Sequence, residues 1–187
     1  AAAQQSDVVI LVMGDKAGLT DDCTSGEGRD RATLGLPGMQ DELVQAIYET
    51  GKPVVLVLLT GRPVTLDWMA RDIPAILAAW FPGEEGSGAI SDVLFGDANP
   101  GGKLPMSFPV DVGQIPVFYG HRPSGGRSHW KGDYVETSSK PLYPFGYGLS
   151  YTHFDYANLR IEAPQARAGD TVRVQVDVSN SGSRAGD

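Results

Sequence analysis

Between positions 24 and 31 the chain reads Thr24-Ser25-Gly26-Glu27-Gly28-Arg29-Asp30-Arg31. One carboxylate, Glu27, stands between two glycines, with Arg29, Asp30 and Arg31 directly behind it. Glycines on both sides free the backbone for dihedrals that other residues avoid, so Glu27 can project from a loop tip. A carboxylic acid offered in this way suits a general acid or a general base. Acidic neighbours (Asp21, Asp22, Asp30) and basic ones (Arg29, Arg31) act on its proton in opposite directions. Asp30 is a second candidate acid, or half of a structural pair with Arg31. The same eight residues also read as a solvated, turn-rich loop whose charges serve solubility.

The elements around this loop predict what must position it. Asp7-Val8-Val9-Ile10-Leu11-Val12-Met13-Gly14 is a continuous apolar run closed by glycine, the pattern of a parallel strand buried on both faces. Leu36-Pro37-Gly38 opens a helix through Thr50 with Met39, Leu43, Val44 and Ile47 on one face, and Gly51 stands where a C-terminal cap belongs. A second buried strand covers residues 53–59 and ends at Thr60-Gly61-Arg62-Pro63. A helix-like piece around Leu66-Asp67-Trp68-Met69 follows, then a short apolar segment at 75–80. Pro82-Gly83-Glu84-Glu85-Gly86 starts another helix through Leu94, its carboxylates near the positive end. This alternation predicts an α/β fold, a mostly parallel sheet flanked by helices. Ligands of such sheets gather beyond the strand C-termini, and the Glu27 loop leaves one of them.

From Gly96 the texture turns loop-like. Residues 110–139 carry no period and hold His121, Arg122, Arg127, His129, Trp130 and Tyr134. The block Leu142–Tyr151 is rich in aromatics and glycine and reads as packing. Residues 154–161 and 171–178 alternate polar and apolar, the second as a half-buried strand. Two strands make no stable sandwich, so they read as the start of an all-β domain, cut short.

With 187 residues, 41% hydrophobic and 20% charged, the chain reads as globular. The net charge of −8 argues against a nucleic-acid or anionic membrane partner and is compatible with a neutral one such as carbohydrate. Cys23 is the only cysteine, which excludes an intrachain disulfide. No run approaches ~18 apolar residues, and no signal-peptide pattern is visible. The histidines show no metal spacing, and no Gly-x-Gly-x-x-Gly or P-loop pattern follows a predicted strand.

Several blocks, in order, resemble the family 3 glycoside hydrolases, the bacterial β-glucosidases and β-xylosidases. They are Ser25–Arg31 with Leu36–Gln40, Gly51–Pro53 with Gly61–Pro63, Phe81–Gly86, Gly96–Pro105 with Ser107–Pro109, and Pro141–Thr152. The resemblance implies residues 1–151 as the C-terminal portion of an α/β sandwich domain. It implies residues 152–187 as the start of a fibronectin type III-like domain. The family's nucleophilic aspartate would lie on an N-terminal (β/α)₈ barrel outside this sequence, and Glu27 matches its general acid/base. The implied reaction is retaining, exo-acting hydrolysis of terminal non-reducing β-linked sugars, with a β-glucoside or oligosaccharide as substrate. No cofactor or metal is implied, and a periplasmic or secreted location is. Arg29, Asp30, His129, Trp130 and Tyr134 are the substrate-contact candidates, since aromatic faces suit the apolar side of a pyranose; the long loop also reads as ordinary surface. The rival expectation is a non-catalytic carbohydrate-binding or structural module, inactive by itself.

Overall fold

A computed structural model describes residues 1–66, 68–120, 133–163 and 165–187. Its contacts gather into two units, Ala1–Ile90 with Leu104–Tyr147, and Ser91–Lys103 with Gly148–Asp187.

In the first unit, strands β1 (Val9–Gly14), β2 (Val54–Leu59) and β3 (Ala75–Ala78) form a parallel sheet in that order. Val9 lies beside Val54, Gly14 beside Leu59, and Val55 beside Ala75. Parallel neighbours need crossover connections, which contain α1 (Gln40–Tyr48) and the single-turn α2 (Met69–Asp72). Helix α3 (Gly86–Phe95) follows β3, and the division between units falls inside it.

β2 is the central strand, and its Val54, Leu56, Val57 and Leu58 are all buried, as the apolar run predicts. Val44 of α1 and Met69 of α2 join Leu11, Val64, Leu66 and Ile73 in the core around it. Each aliphatic side chain fully buried there contributes about 1.5–3 kcal/mol relative to exposure.

β1 corrects its expectation. Among the described residues it stands at the edge of the sheet: Leu11 is buried, but Ile10 is 42% and Val12 54% exposed. Apolar composition marks a face fit for burial and says nothing about which neighbour covers it. The first helix also starts later than expected, at Gln40, because Gly38 adopts φ +65° and turns the chain. Met39 and Leu43 consequently face outward, while Val44 and Ile47 pack inward. The helix ends at Tyr48, two residues before the expected Thr50, and Gly51, at φ +74°, turns the chain away just beyond it.

Segment 104–108 runs against 142–147. Leu104 N–H donates to the Tyr147 carbonyl at 2.8 Å, and Phe108 N–H to that of Tyr143 at 2.8 Å. Of the aromatic block, Tyr143 packs on the core, whereas Phe145 is exposed. Burial pushes the Tyr143 phenol above its usual pKa. The long stretch after Val110 has a built base: buried Gln114 accepts from Val110 N–H at 2.6 Å and donates to the carbonyls of Ser138 and Lys140.

In the second unit β4 (Phe154–Ile161) pairs antiparallel with β5 (Val174–Asn180), with a register shift between Ala157 and Arg160. The expected half-buried strand is extended, yet Val174, Val176 and Val178 remain exposed. Its period of two is present, but a two-stranded sheet cannot cover its own face. Asn99 anchors this unit, its Oδ1 accepting from Ser150 Oγ and Tyr151 N–H.

Candidate functional site

The strands of the parallel sheet end at Gly14, Leu59 and Ala78, and the loops after them begin at Asp15, Thr60 and Ala79. Glu27 lies in the first of these. The loop is built from its base outward. Asp15 N–H donates to the Leu59 carbonyl at 2.9 Å, extending the sheet by one bond. Lys16–Gly18 then runs beside Thr24–Ser25. Thr24 N–H donates to the Lys16 carbonyl at 2.9 Å, Lys16 N–H to Thr24 Oγ1 at 3.0 Å, and Gly18 N–H to the Ser25 carbonyl at 3.1 Å.

Gly26 and Gly28 place Glu27 at the tip. Their φ values, +124° and +68°, lie in the region open chiefly to glycine. A Cβ on Gly26 would also stand 2.6 Å from the Gly18 carbonyl oxygen, whereas one on Gly28 would meet nothing. Glu27 and Asp30 are exposed. Arg29 N–H closes the turn onto the Gly26 carbonyl at 3.1 Å. Its guanidinium turns back into the loop, donating to Asp21 Oδ1 and the Leu19 carbonyl, both at 2.9 Å. Among the described residues Asp30 and Arg31 form no ion pair with each other; that expectation gives way to Arg29–Asp21. Lys16, and after it Thr20, holds the Asp22 carboxyl below its usual pKa.

Glu27, Arg29 and Asp30 thus share one turn. Tyr134 is half-buried in the separate loop closed by Gln114. His129 and Trp130, like His121, Arg122 and Arg127, lie outside the described residues.

Four residues without an assigned role in the sequence hold this loop. The Asp15 side chain is fully buried, and its Oδ1 accepts from Arg62 Nη2 at 3.1 Å and Thr24 Oγ1 at 3.0 Å. Arg62 also donates to the carbonyls of Leu34, at 3.1 Å, and Gly35, at 3.0 Å. Gln40 bonds the backbone of Gly14. The legible signal was a charged residue just past the end of each apolar run, Asp15 after β1 and Arg62 after β2. Beside them, Gly61 lets the loop come close: a Cβ there would stand 2.7 Å from Phe81 Cε2 and 3.0 Å from Ser25 Oγ. Phe81 is 45% exposed, an aromatic surface next to the Glu27 loop.

A cavity of about 370 Å³ in the same unit is lined by apolar side chains including Leu34, Met106, Phe118, Tyr119 and Phe145. Tyr119 stacks on Phe145 with 4.8 Å between ring centres. No metal-ligating cluster occurs among the described residues, nor any helix long and apolar enough to cross a membrane.

The arrangement offers a solvent-accessible carboxyl on a braced loop, which can give or take a proton from a bound molecule. Residues 1–151 match the profile of the glycosyl hydrolase family 3 C-terminal domain. The chain is 48% identical to a β-xylosidase of Formosa agariphila, covering all of this sequence and 25% of that one. It is 44% identical to a periplasmic β-glucosidase of Salmonella typhimurium, covering 99% of this sequence and 24% of that one. Among solved structures, a β-glucosidase from Erythrobacter marinus superposes with a TM-score of 0.85 at 42% identity, over 99% of this chain and 24% of that one. A β-glucosidase from Listeria innocua in complex with glucose gives 0.83 at 37% identity, over 97% and 25%. The chain spans about a quarter of the length of these relatives.

Proposed function

The chain belongs to the family 3 glycosyl hydrolases, and from that premise we propose that it supplies the general acid/base of a retaining, exo-acting β-glucosidase. The observation that carries this reading is the placement of Glu27. It projects between two left-handed glycines at the C-terminal edge of a parallel sheet, on a loop tied at its base.

Retaining hydrolysis uses two carboxyl groups roughly 5–5.5 Å apart. In the proposed first step an aspartate of an N-terminal (β/α)₈ barrel attacks the anomeric carbon, and the Glu27 carboxyl gives its proton to the departing oxygen. In the second, the Glu27 carboxylate takes a proton from water as that water attacks the same carbon and frees the aspartate. This chain supplies only one of the pair, so by itself it turns over no glycoside. The substrate class proposed is a terminal non-reducing β-linked glucoside or oligosaccharide, and no cofactor enters the scheme. Asp30 and Tyr134 are proposed substrate contacts, with His129 and Trp130. Arg29 is proposed to contact sugar only if its tie to Asp21 opens.

Residues 1–151 are proposed as part of the sandwich domain and 152–187 as the start of a fibronectin type III-like domain. The antiparallel pairing of β4 and β5, with exposed valines on one face, supports the second assignment. A periplasmic or secreted location is proposed on the strength of the Salmonella relative.

The test compares the intact parent enzyme with its Glu27→Ala variant on aryl β-glucosides, with and without azide. A large loss of rate is expected, smaller where the leaving group needs no proton. Azide should restore turnover and yield the β-glycosyl azide, because a small anion attacks the covalent intermediate without base help. Near-normal activity without azide would sink the assignment and return attention to Asp30 or to a non-catalytic carbohydrate-binding module.

A further inference from the structure

Glu27 is exposed and flanked by glycines, so nothing in its own turn fixes its direction. The loop around it is long, and a carboxyl that must meet one glycosidic oxygen cannot wander. What limits it lies beneath, in residues whose side chains are largely buried.

The Asp15 side chain is 0% exposed and that of Arg62 14%. One guanidinium joins the start of the loop, at Asp15, to its far end, at the Leu34 and Gly35 carbonyls. The Arg62 carbonyl is itself held by the buried hydroxyl of Thr60, at 2.8 Å, which ties the Arg62 backbone to the end of β2. The same Asp15 oxygen that accepts from Arg62 accepts from Thr24 Oγ1 at 3.0 Å, and Thr24 stands three residues before Glu27. The Lys16 N–H and carbonyl both bond Thr24, completing its fixation. A buried ion pair is weak evidence of stability, because desolvation offsets its attraction. Of this pair, the buried Asp15 Oδ2 and Arg62 Nε find no hydrogen-bond partner among the described residues. Its bonds go instead to the segments on either side of Glu27.

We propose that Asp15 and Arg62 are positioning residues for the Glu27 proton transfer, acting through the Thr24 hydroxyl. The inference rests on the reading of Glu27 as acid/base. Thr24 is the link to cut, since the change is small and leaves the ion pair intact.

The experiment measures kcat/KM of the intact parent enzyme and its Thr24→Val, Thr24→Ser, Asp15→Asn and Glu27→Ala variants on an alkyl and a dinitrophenyl β-glucoside. This ratio reports steps up to the first bond cleavage, where only the alkyl group needs a proton. Thr24→Val is expected to lose about 10–100-fold on the alkyl substrate, the scale of a misplaced group. On the dinitrophenyl substrate it should stay within about threefold, since that leaving group departs without acid help. Thr24→Ser, which keeps the hydroxyl, should restore the alkyl rate, and Asp15→Asn should repeat the selective loss. Equal losses on both substrates in Thr24→Val, or no loss, would overturn the inference. Leaving-group dependence in Glu27→Ala would at the same time keep Glu27 in place. If Glu27→Ala itself lacks that dependence, both readings fall.

Discussion

The side-chain amide of Gln40 grips the backbone of Gly14 with both of its ends. Its Oε1 accepts from Gly14 N–H at 2.7 Å, and its Nε2 donates to the Gly14 carbonyl at 2.8 Å. A neighbouring strand would offer the same donor and acceptor, so one side chain takes the place of a peptide group at the sheet edge. It joins the last residue of β1 to the first of α1 and thereby fixes the separation of the ends of the Glu27 loop.

Gln40→Met fills similar space and removes both bonds. A loss of about 1–3 kcal/mol is expected, the usual penalty for leaving partly buried backbone groups unpaired. The thermal midpoint of the intact enzyme reports it, and an unchanged midpoint would show that water replaces the clasp at no penalty.

The two glycines beside Glu27 should differ. Gly28→Ala meets open space and bears only the left-handed backbone cost, about 1–2 kcal/mol. Gly26→Ala bears a backbone penalty too and must also displace the Gly18 carbonyl. The larger drop in both midpoint and alkyl-glucoside kcat/KM is therefore expected at Gly26; the reverse order would mean the Lys16–Gly18 segment yields freely.

Arg62→Met leaves the Asp15 carboxylate buried without its cation. About 3–5 kcal/mol of destabilisation is expected on the scale of broken buried pairs. The double variant Asp15→Leu/Arg62→Met removes both charges and should recover much of that stability without recovering alkyl-glucoside activity. Calorimetry alongside the two-substrate assay separates the quantities. Activity returning with stability would show the pair acting through the fold alone.

Asp22 gives a pH prediction. Its pKa is lowered in the folded chain from the usual 3.8, first by Lys16 and then by Thr20. A depressed folded pKa contributes stability above the unfolded value and loses it as pH falls through the folded value. The Lys16 contact is therefore fully effective at neutral pH and fades only in acid. Lys16→Met should move the Asp22 titration, followed by carboxyl-carbon NMR, back toward the ordinary range; no movement would assign the shift to Thr20.

Much of the fold was legible because its signals are local. The apolar runs ending at Gly14 and Leu59 gave two strands, and period-two alternation gave the extended residues of β5. The glycines around Glu27 announced their dihedrals. Exposure was less legible, because composition does not say what covers a face: Ile10 and Val12 look like core residues and sit, among the described residues, on an edge strand. The start of α1 was misread because Leu36 is buried without being helical. That the charged residues Asp15 and Arg62 pair was not legible, for another reason. They are 47 positions apart, and only the register of β1 on β2 brings their loops together.

The two units are interleaved along the chain, the first resuming at Leu104 after an excursion of thirteen residues into the second. During synthesis the sheet and the Glu27 loop therefore emerge well before the segment that carries Phe108 and Tyr143 over the core. At roughly 5–20 residues per second the interval lasts a few seconds. Through that time the nascent chain exposes apolar surface that the finished protein hides. Translation speed between residues 91 and 147 is therefore predicted to affect yield: synonymous codon changes there should alter the soluble fraction without altering one amino acid, and an unchanged fraction would show that the order of emergence is immaterial.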